Sequence, residues 1–210
     1  MGELQAKIDF FGPGSNMETR FIHDYDKLVE ILMYIRKLRP DIKIVLIMGS
    51  WDVLHVGHSR YIEAGSKYGD IVIIGVDSDE KTRRRKGPNR PVVPQDERIE
   101  QLCHLRHVDL VVLKEPDHPK WHLIKTVRPD VLITIEENYT DEEREQLKEF
   151  CGKVETLPRQ AETSTSAKVR RLVLDFSEKA TKAATEAIQH NAKVLAEDVA
   201  KRIEQELDNA

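Results

Sequence analysis

"IKIVLIMGSWDVLHVGHSRYIEAGSKYGDIVIIGV", residues 42–76, decides the fold. Two short apolar runs, "IKIVLIM" (42–48) and "DIVIIGV" (70–76), flank a turn and then a helix-like stretch over 58–68. The runs are apolar at consecutive rather than alternate positions, so both faces of the strands they form must be covered. A strand–helix–strand unit of this kind makes a parallel pair. The alternation continues downstream, with apolar runs at 108–113, 130–135 and 153–157 and helix-like stretches near 95–104, 119–127 and 141–150. The expected fold is therefore α/β: a five-stranded parallel sheet with helices on both faces. Upstream, "DYDKLVEILMYIRKLRP" (24–40) sets Leu28, Ile31, Leu32 and Ile35 at helical spacing and stops at Pro40, while the first twenty residues read as a loose arm. After Asp175 the chain turns rich in alanine and charge, with Ala184, Ile188, Ala192, Leu195, Val199, Ile203 and Leu207 at helical intervals. That pattern predicts one long C-terminal amphipathic helix whose apolar stripe must be covered by its own domain or by a second chain. The expected division is an N-terminal arm and helix over 1–41, the α/β domain over 42–176 and a helical extension over 177–210, with a homodimer as the expected assembly.

The bulk of the chain narrows the function classes. It has 210 residues, 33% of them charged, and a net charge of -4, so nothing global points to nucleic acid and any basic site must be local. Cys103 and Cys151 are the only cysteines, which argues against a disulfide scaffold or zinc ribbon and fits a reducing cytoplasm. No apolar run approaches the roughly 18–20 residues of a membrane span, and the N-terminal segment lacks the layout of a signal peptide. A cytoplasmic protein with neither membrane nor nucleic-acid partner is expected.

In a parallel sheet of this kind ligands bind beyond the carboxyl ends of the strands. The turn after the first run lies on that edge and carries His55 and His58. Residues three apart across a first helical turn have neighbouring side chains, so both imidazoles can face one ligand. Gly57 lets the backbone come close, and the helix N-terminus favours an anion. A phosphate cradle results, but spacing alone leaves three readings open: satisfied structural histidines, metal ligands, and imidazoles that neutralise a triphosphate during group transfer. The metal reading lacks a third and fourth ligand at useful spacing.

Two further segments are cationic or hydroxyl-rich. Over residues 81–90, Lys81, Arg83, Arg84, Arg85, Lys86 and Arg90 give a charge of +6 with no acid. The run follows a strand end and breaks at Gly87-Pro88 and Arg90-Pro91, which reads as a mobile basic loop closing over phosphates. A nucleic-acid patch is the competing reading, and the scarcity of aromatics and the acidic remainder count against it. In "RQAETSTSAKVRR" (159–171), Ser164, Thr165 and Ser166 precede a helix. They serve at least as an N-cap, and with Arg159 they form a second anion site.

With these segments in place, the chain resembles a known family. "GSWDVLHVGH" is similar to the G-x-F-D-x-x-H-x-G-H signature of the cytidylyltransferase-like nucleotidyltransferases, with Trp51 where phenylalanine is usual. "VDSDEKTRRRKGPNRPVVPQDERIEQL" is similar to the middle block of the adenylyltransferase domain of bacterial ADP-heptose synthase, and "STSAK" resembles that family's distal S-T-T-x-x-I/K signature. The resemblance spans about residues 43–176, in order. It implies a Rossmann-like sheet and attack of an acceptor phosphate on the α-phosphorus of a nucleoside triphosphate, with release of pyrophosphate, no covalent enzyme intermediate, and Mg²⁺ carried on the nucleotide phosphates rather than by protein ligands. By the same resemblance His55, His58 and Lys86 are catalytic: the histidines neutralise the triphosphate, and Lys86 stabilises the pentacoordinate phosphorus. Gly49, Ser50, Trp51, Asp52, Gly57, Asp79, Arg98, Arg159, Ser164, Thr165 and Ser166 form the nucleotide- and phosphate-binding set. The middle block favours ATP and a sugar phosphate. The rival within the family uses CTP and an alcohol phosphate, as glycerol-3-phosphate cytidylyltransferase does. A rival from another class is a nucleotide-binding protein without turnover. One departure bears on the substrates: "TIEENY" (134–139) replaces a K-G-G-D-Y turn, so Glu136 and Glu137 stand where that family has a lysine–glycine pair.

Overall fold

Strand β2 (Ile44–Gly49) and strand β3 (Ile71–Asp77) pair in parallel over six consecutive positions, from Ile44 against Ile71 to Gly49 against Val76. Helix α3 (Val56–Ser66) makes the crossover between them. The computed structural model describes residues 15–158, 160 and 165–208. The remaining elements are α1 (Met17–Arg20), β1 (Phe21–Ile22), α2 (Tyr25–Leu38), α4 (Asp79–Lys86), α5 (Gln95–Cys103), β4 (Leu110–Lys114), α6 (His122–Val127), β5 (Val131–Thr134), α7 (Asp141–Leu147), β6 (Lys153–Thr156) and α8 (Thr165–Asp208), with a 3₁₀ turn at Glu136–Asn138.

The described sheet is parallel throughout, in the order β1-β4-β3-β2-β5-β6. Alternation along β2 sorts the core into two layers. Val45 and Ile47 join Ile62 of α3 and Ile99 and Leu102 of α5 on one face. Ile44 and Leu46 join Leu28, Leu32 and Ile35 of α2 and Leu123, Ile124 and Val127 of α6 on the other. Each fully buried Leu or Ile contributes roughly 1.5–3 kcal/mol, so the two-sided covering read from the apolar runs is also the main source of stability. From β2 the chain winds outward through β3 to β4, then returns to β5 on the opposite flank of β2. The strand order therefore reverses between β2 and β5, and the crevice beyond their carboxyl ends is the ligand position of such a sheet.

The structure differs from expectation in three places. The sheet has six strands rather than five, because Phe21 and Ile22 add a two-residue edge strand opposite Val111 and Val112. Two residues are too few for any period to reveal; burial of both side chains and the exposed edge of β4 account for the strand. The basic segment expected to be a mobile loop begins as a helix. Ser78 caps α4 by accepting the Lys81 amide, Asp79 and Glu80 occupy its first turn, and Arg83 to Lys86 its last. That order of charge suits the helix macrodipole. The helix stops at Gly87, whose φ of 98° is open to glycine at little cost. Thr82 is its only buried residue, which is why no apolar period announced it. Finally, α8 runs unbroken for 44 residues from Thr165, so position 177 falls inside a helix.

The chain divides into two compact units, one ending at Thr165 and the other beginning at Ser166. The second is α8, with Leu172, Val173, Phe176, Ile188, Leu195 and Val199 among its exposed apolar residues.

Candidate active site

The loop between β2 and α3 is held in an unusual conformation. Trp51 and Val53 have φ of 55° and 48°, in the left-handed region that is costly for a side-chain-bearing residue and most of all for a β-branched one. Side-chain bonds hold it there. The Trp51 indole lies over Gly49, where an added Cβ would come within 3.2 Å of the ring, and its Nε1–H donates to the Gly75 carbonyl at 3.0 Å. The phenylalanine usual in the motif has no donor for that bond. Ser50 is buried, and its carbonyl accepts from the Arg98 guanidinium.

The loop delivers the two histidines together. His55 is the N-cap of α3, and its Nδ1 accepts the Gly57 amide at 3.0 Å, which leaves the proton of the neutral ring on Nε2. The His58 ring stacks on His55 with centroids 4.0 Å apart and planes 26° from parallel, and meets Trp51 edge-on at 5.4 Å. One of the helix-end amides expected to be open to an anion is thus already bound by His55 itself. Lys86, the last residue of α4, reaches the same loop, its Nζ donating to Ser50 Oγ at 2.7 Å. The residue keeps solvent contact, while partial burial of its ammonium, reinforced by Arg85, holds its pKa below the ordinary lysine value against the pull of Asp52 and Asp77.

Three of the expected phosphate ligands have other work in this structure. Asp52 is 2% exposed; it pairs with Arg90 at 2.8 Å and accepts the Val92 and Val93 amides at 2.9 and 3.0 Å. It thereby fastens the 87–94 segment to the histidine loop. Arg98 is 1% exposed and donates to the carbonyls of Ser50, Asp77 and Val93 and to the Asp79 carboxylate at 2.7 Å. Its donors join the ends of β2 and β3 to the caps of α4 and α5. A buried guanidinium bonded to main-chain carbonyls fixes the ends of the strands on which the site is built. Asp79 is its partner, and the Asp79 amide donates to Gln95 Oε1 at 2.9 Å.

Thr165 and Ser166 open α8, while Arg159 and Ser164 lie outside the described residues. Glu136 belongs to the 3₁₀ turn directly after β5, at the reversal of strand order, and Arg144 donates to its carbonyl. Sequence reading placed Arg85 and Arg90 only within the basic run, with no partner for either, and did not single out Lys114. Asp77, the last residue of β3 and 1% exposed, holds Lys114 Nζ at 2.8 Å and Arg85 at 2.9 Å. The available signal was positional: Asp77 and Lys114 are the first charged residues at the carboxyl ends of their apolar runs, and they are register partners. Next to this network a cavity of about 220 Å³ opens between Tyr25, Met48, Lys114, Trp121 and Tyr139.

The comparisons with known proteins bear on the same region. The family model described as cytidylyltransferase-like matches residues 46–172, from β2 into the first turns of α8. The chain belongs to the cytidylyltransferase-like family. This assigns it a nucleotidyltransferase domain, as the histidine loop and its order with the basic segment led one to expect. Curated relatives include the bifunctional protein HldE of a Nitratiruptor species, 40% identical over 113 residues that make up 54% of this chain and 24% of the relative. The bifunctional protein HldE of Campylobacter fetus subsp. fetus (strain 82-40) is 37% identical over 133 residues, 63% of this chain and 29% of the relative. The chain spans about a quarter of the length of the curated relatives it matches. Among solved structures, a lipopolysaccharide core biosynthesis protein from Thermoplasma volcanium is similar at 22% identity with a TM-score of 0.48, over 59% of this chain and 99% of that one.

Proposed function

We propose that the chain transfers AMP from ATP to a phosphorylated sugar. The observation that carries this reading is the convergence of the stacked His55–His58 pair and the Lys86 ammonium on one loop at the reversal of strand order. An oxygen of the acceptor phosphate attacks the α-phosphorus, a new P–O bond forms, the bond to the bridging α–β oxygen breaks, and pyrophosphate leaves with that electron pair. Such a transfer needs positioned positive charge more than a strong base. His55 offers Nε2–H to the triphosphate, His58 lies against it in the stack, and Lys86 faces the charge that develops on the equatorial oxygens. Asp52 and Arg98 act through the loop they hold.

Mg²⁺ is the expected companion of the nucleotide. The carboxylates nearest the loop, Asp52 and Asp77, are engaged by Arg90, Lys114 and Arg85, which is a poor donor set for a protein-held cation. An ion carried on the triphosphate would offset part of its charge. Ser164, Thr165, Ser166 and Arg159 keep their proposed part in binding the nucleotide phosphates. Two buried free cysteines, Cys103 and Cys151, suit a reducing cytoplasm, and the exposed apolar residues of α8 suit pairing of two chains.

Pyrophosphate release with Mg²⁺ and each of ATP, CTP, GTP and UTP, against sugar phosphates and alcohol phosphates, tests the assignment. Release with ATP and a sugar phosphate is expected. Release confined to CTP and an alcohol phosphate would replace it with the rival chemistry, and nucleotide binding without release from any pair would leave a binding protein.

A further inference from the structure

The cavity beside Asp77 has a one-sided chemistry. Lys81 from α4, Lys114 from the end of β4, and His118, Lys120 and His122 from the segment after β4 supply its nitrogens, Lys120 being paired with Glu143 at 2.8 Å, and Trp121 supplies a flat wall. Among the described residues no carboxylate, amide or aliphatic hydroxyl lines it. Its side-chain oxygens are the phenols of Tyr25 and Tyr139, the first already donating to the Leu113 carbonyl, so the lining is richer in donors than in the acceptors that a polyol's hydroxyl protons need.

The nitrogens are also fixed. Tyr25 donates to the Leu113 carbonyl at 3.1 Å, stacks on His122 at 4.7 Å and meets His118 edge-on at 4.9 Å. His118 Nδ1 accepts the Glu115 amide at 3.4 Å, so its neutral ring carries the proton on Nε2. Lys81 Nζ donates to the Glu115 carbonyl at 3.1 Å, which uses one of three ammonium protons. These nitrogens disfavour one another's charge. Burial, reinforced by Lys81 and Arg85, holds Lys114 below the ordinary lysine value even beside Asp77. Burial, then His122 and Lys81, holds His118 low against Glu115 and Asp117. An anion placed among them relieves that repulsion.

We propose that this cavity holds the far end of the acceptor, and that this end carries a second oxyanion, phosphate or carboxylate, in addition to the phosphate that reacts. The inference rests on the nucleotidyl-transfer reading for the position of the first phosphate. Lys81 and Lys86 are five residues apart on α4, about 7.5 Å along its axis and about 140° around it, Lys81 bonding to the Glu115 carbonyl beside the cavity and Lys86 to Ser50 in the histidine loop. The Asp77 carboxylate joins the two ends, bonded to Lys114 in the cavity and to Arg85 beside Lys86. A volume of about 220 Å³ is small among ligand pockets and suits one ring beside Trp121, over whose indole the Lys120 ammonium lies at 4.3 Å.

The test compares glucose 1-phosphate, glucose 1,6-bisphosphate and glucuronic acid 1-phosphate on the full chain. Binding is read by tryptophan fluorescence, since the chain has two tryptophans and Trp51 is 3% exposed, with Trp121→Phe as the control for signal from the cavity. Pyrophosphate release with ATP is read in parallel. An acceptor with a second anion is expected to bind at least about tenfold more tightly than glucose 1-phosphate, the worth of one charge-assisted hydrogen bond. Whichever of the bisphosphate and the uronate wins identifies the anion. The preference should vanish in the folded Lys81→Gln/His122→Gln double variant, checked by circular dichroism. Equal binding of all three, or a preference that survives the double substitution, overturns the assignment. If no acceptor releases pyrophosphate while the fluorescence preference holds, the transfer reading fails and the cavity remains a site for a doubly anionic sugar that is not an acceptor; release without preference overturns the cavity assignment alone.

Discussion

Lys86 and His58 both belong to the proposed transfer site, and each is a point at which the account can be broken by one substitution. Removing either takes away charge directed at the transition state, so His58→Ala and Lys86→Ala should each lower kcat by at least about 10²-fold in a folded protein, measured by pyrophosphate release. Lys86 also carries a pH signature. It acts as the charged form, and its pKa is depressed mainly by burial and by Arg85. Activity of the free enzyme should therefore be retained at low and neutral pH and lost as pH rises through that depressed value, below the range of an ordinary lysine. The alkaline limb of kcat/KM reports it, and Lys86→Arg should move the limb upward. Arg98 shows what one residue's identity conceals. The family resemblance makes it a phosphate ligand, whereas its position under Ser50, Asp77 and Val93 depends on segments of chain far apart in sequence. Arg98→Met leaves the Asp79 carboxylate and three carbonyls without this donor, and should destabilise the fold by about 3–5 kcal/mol in urea titrations.

Elements were legible in proportion to the apolar surface they bury. Strands β2 to β5 and helices α2, α3 and α5 could be read because the core selects their periods. Helix α4 could not, because eight residues with one buried side chain have no period to show. Its stability lies in its cap and its charge order, so Ser78→Ala should cost about 1 kcal/mol. Because Lys86 ends that helix, the same variant should also lower kcat at temperatures where the protein stays folded. Unchanged kinetics would argue that Lys86 is positioned by Ser50 alone. The loop bearing the histidines was legible in composition only. Its positive φ angles at Trp51 and Val53 accompany bonds to Gly75 and Arg98 that no local pattern encodes.

At the scale of the whole molecule, the order of the strands sets the reversal between β2 and β5 beside the histidine loop, a placement that apolar runs alone could only suggest. The cavity was out of reach of sequence reading because its walls come from the ends of several separate elements. The long α8 raises a different question, that of assembly. Light scattering should report a dimer, and Ile188→Glu with Leu195→Glu should convert it to a monomer if these exposed residues pair. The central claim concerns the bond that forms. Phosphorus NMR of the protein with ATP, Mg²⁺ and an accepted sugar phosphate observes it directly. The account predicts pyrophosphate and a new diphosphate ester in equal amounts, both formed at least about 10²-fold more slowly with Lys86→Ala. Appearance of ADP or orthophosphate, with the acceptor phosphate still a monoester, would contradict it.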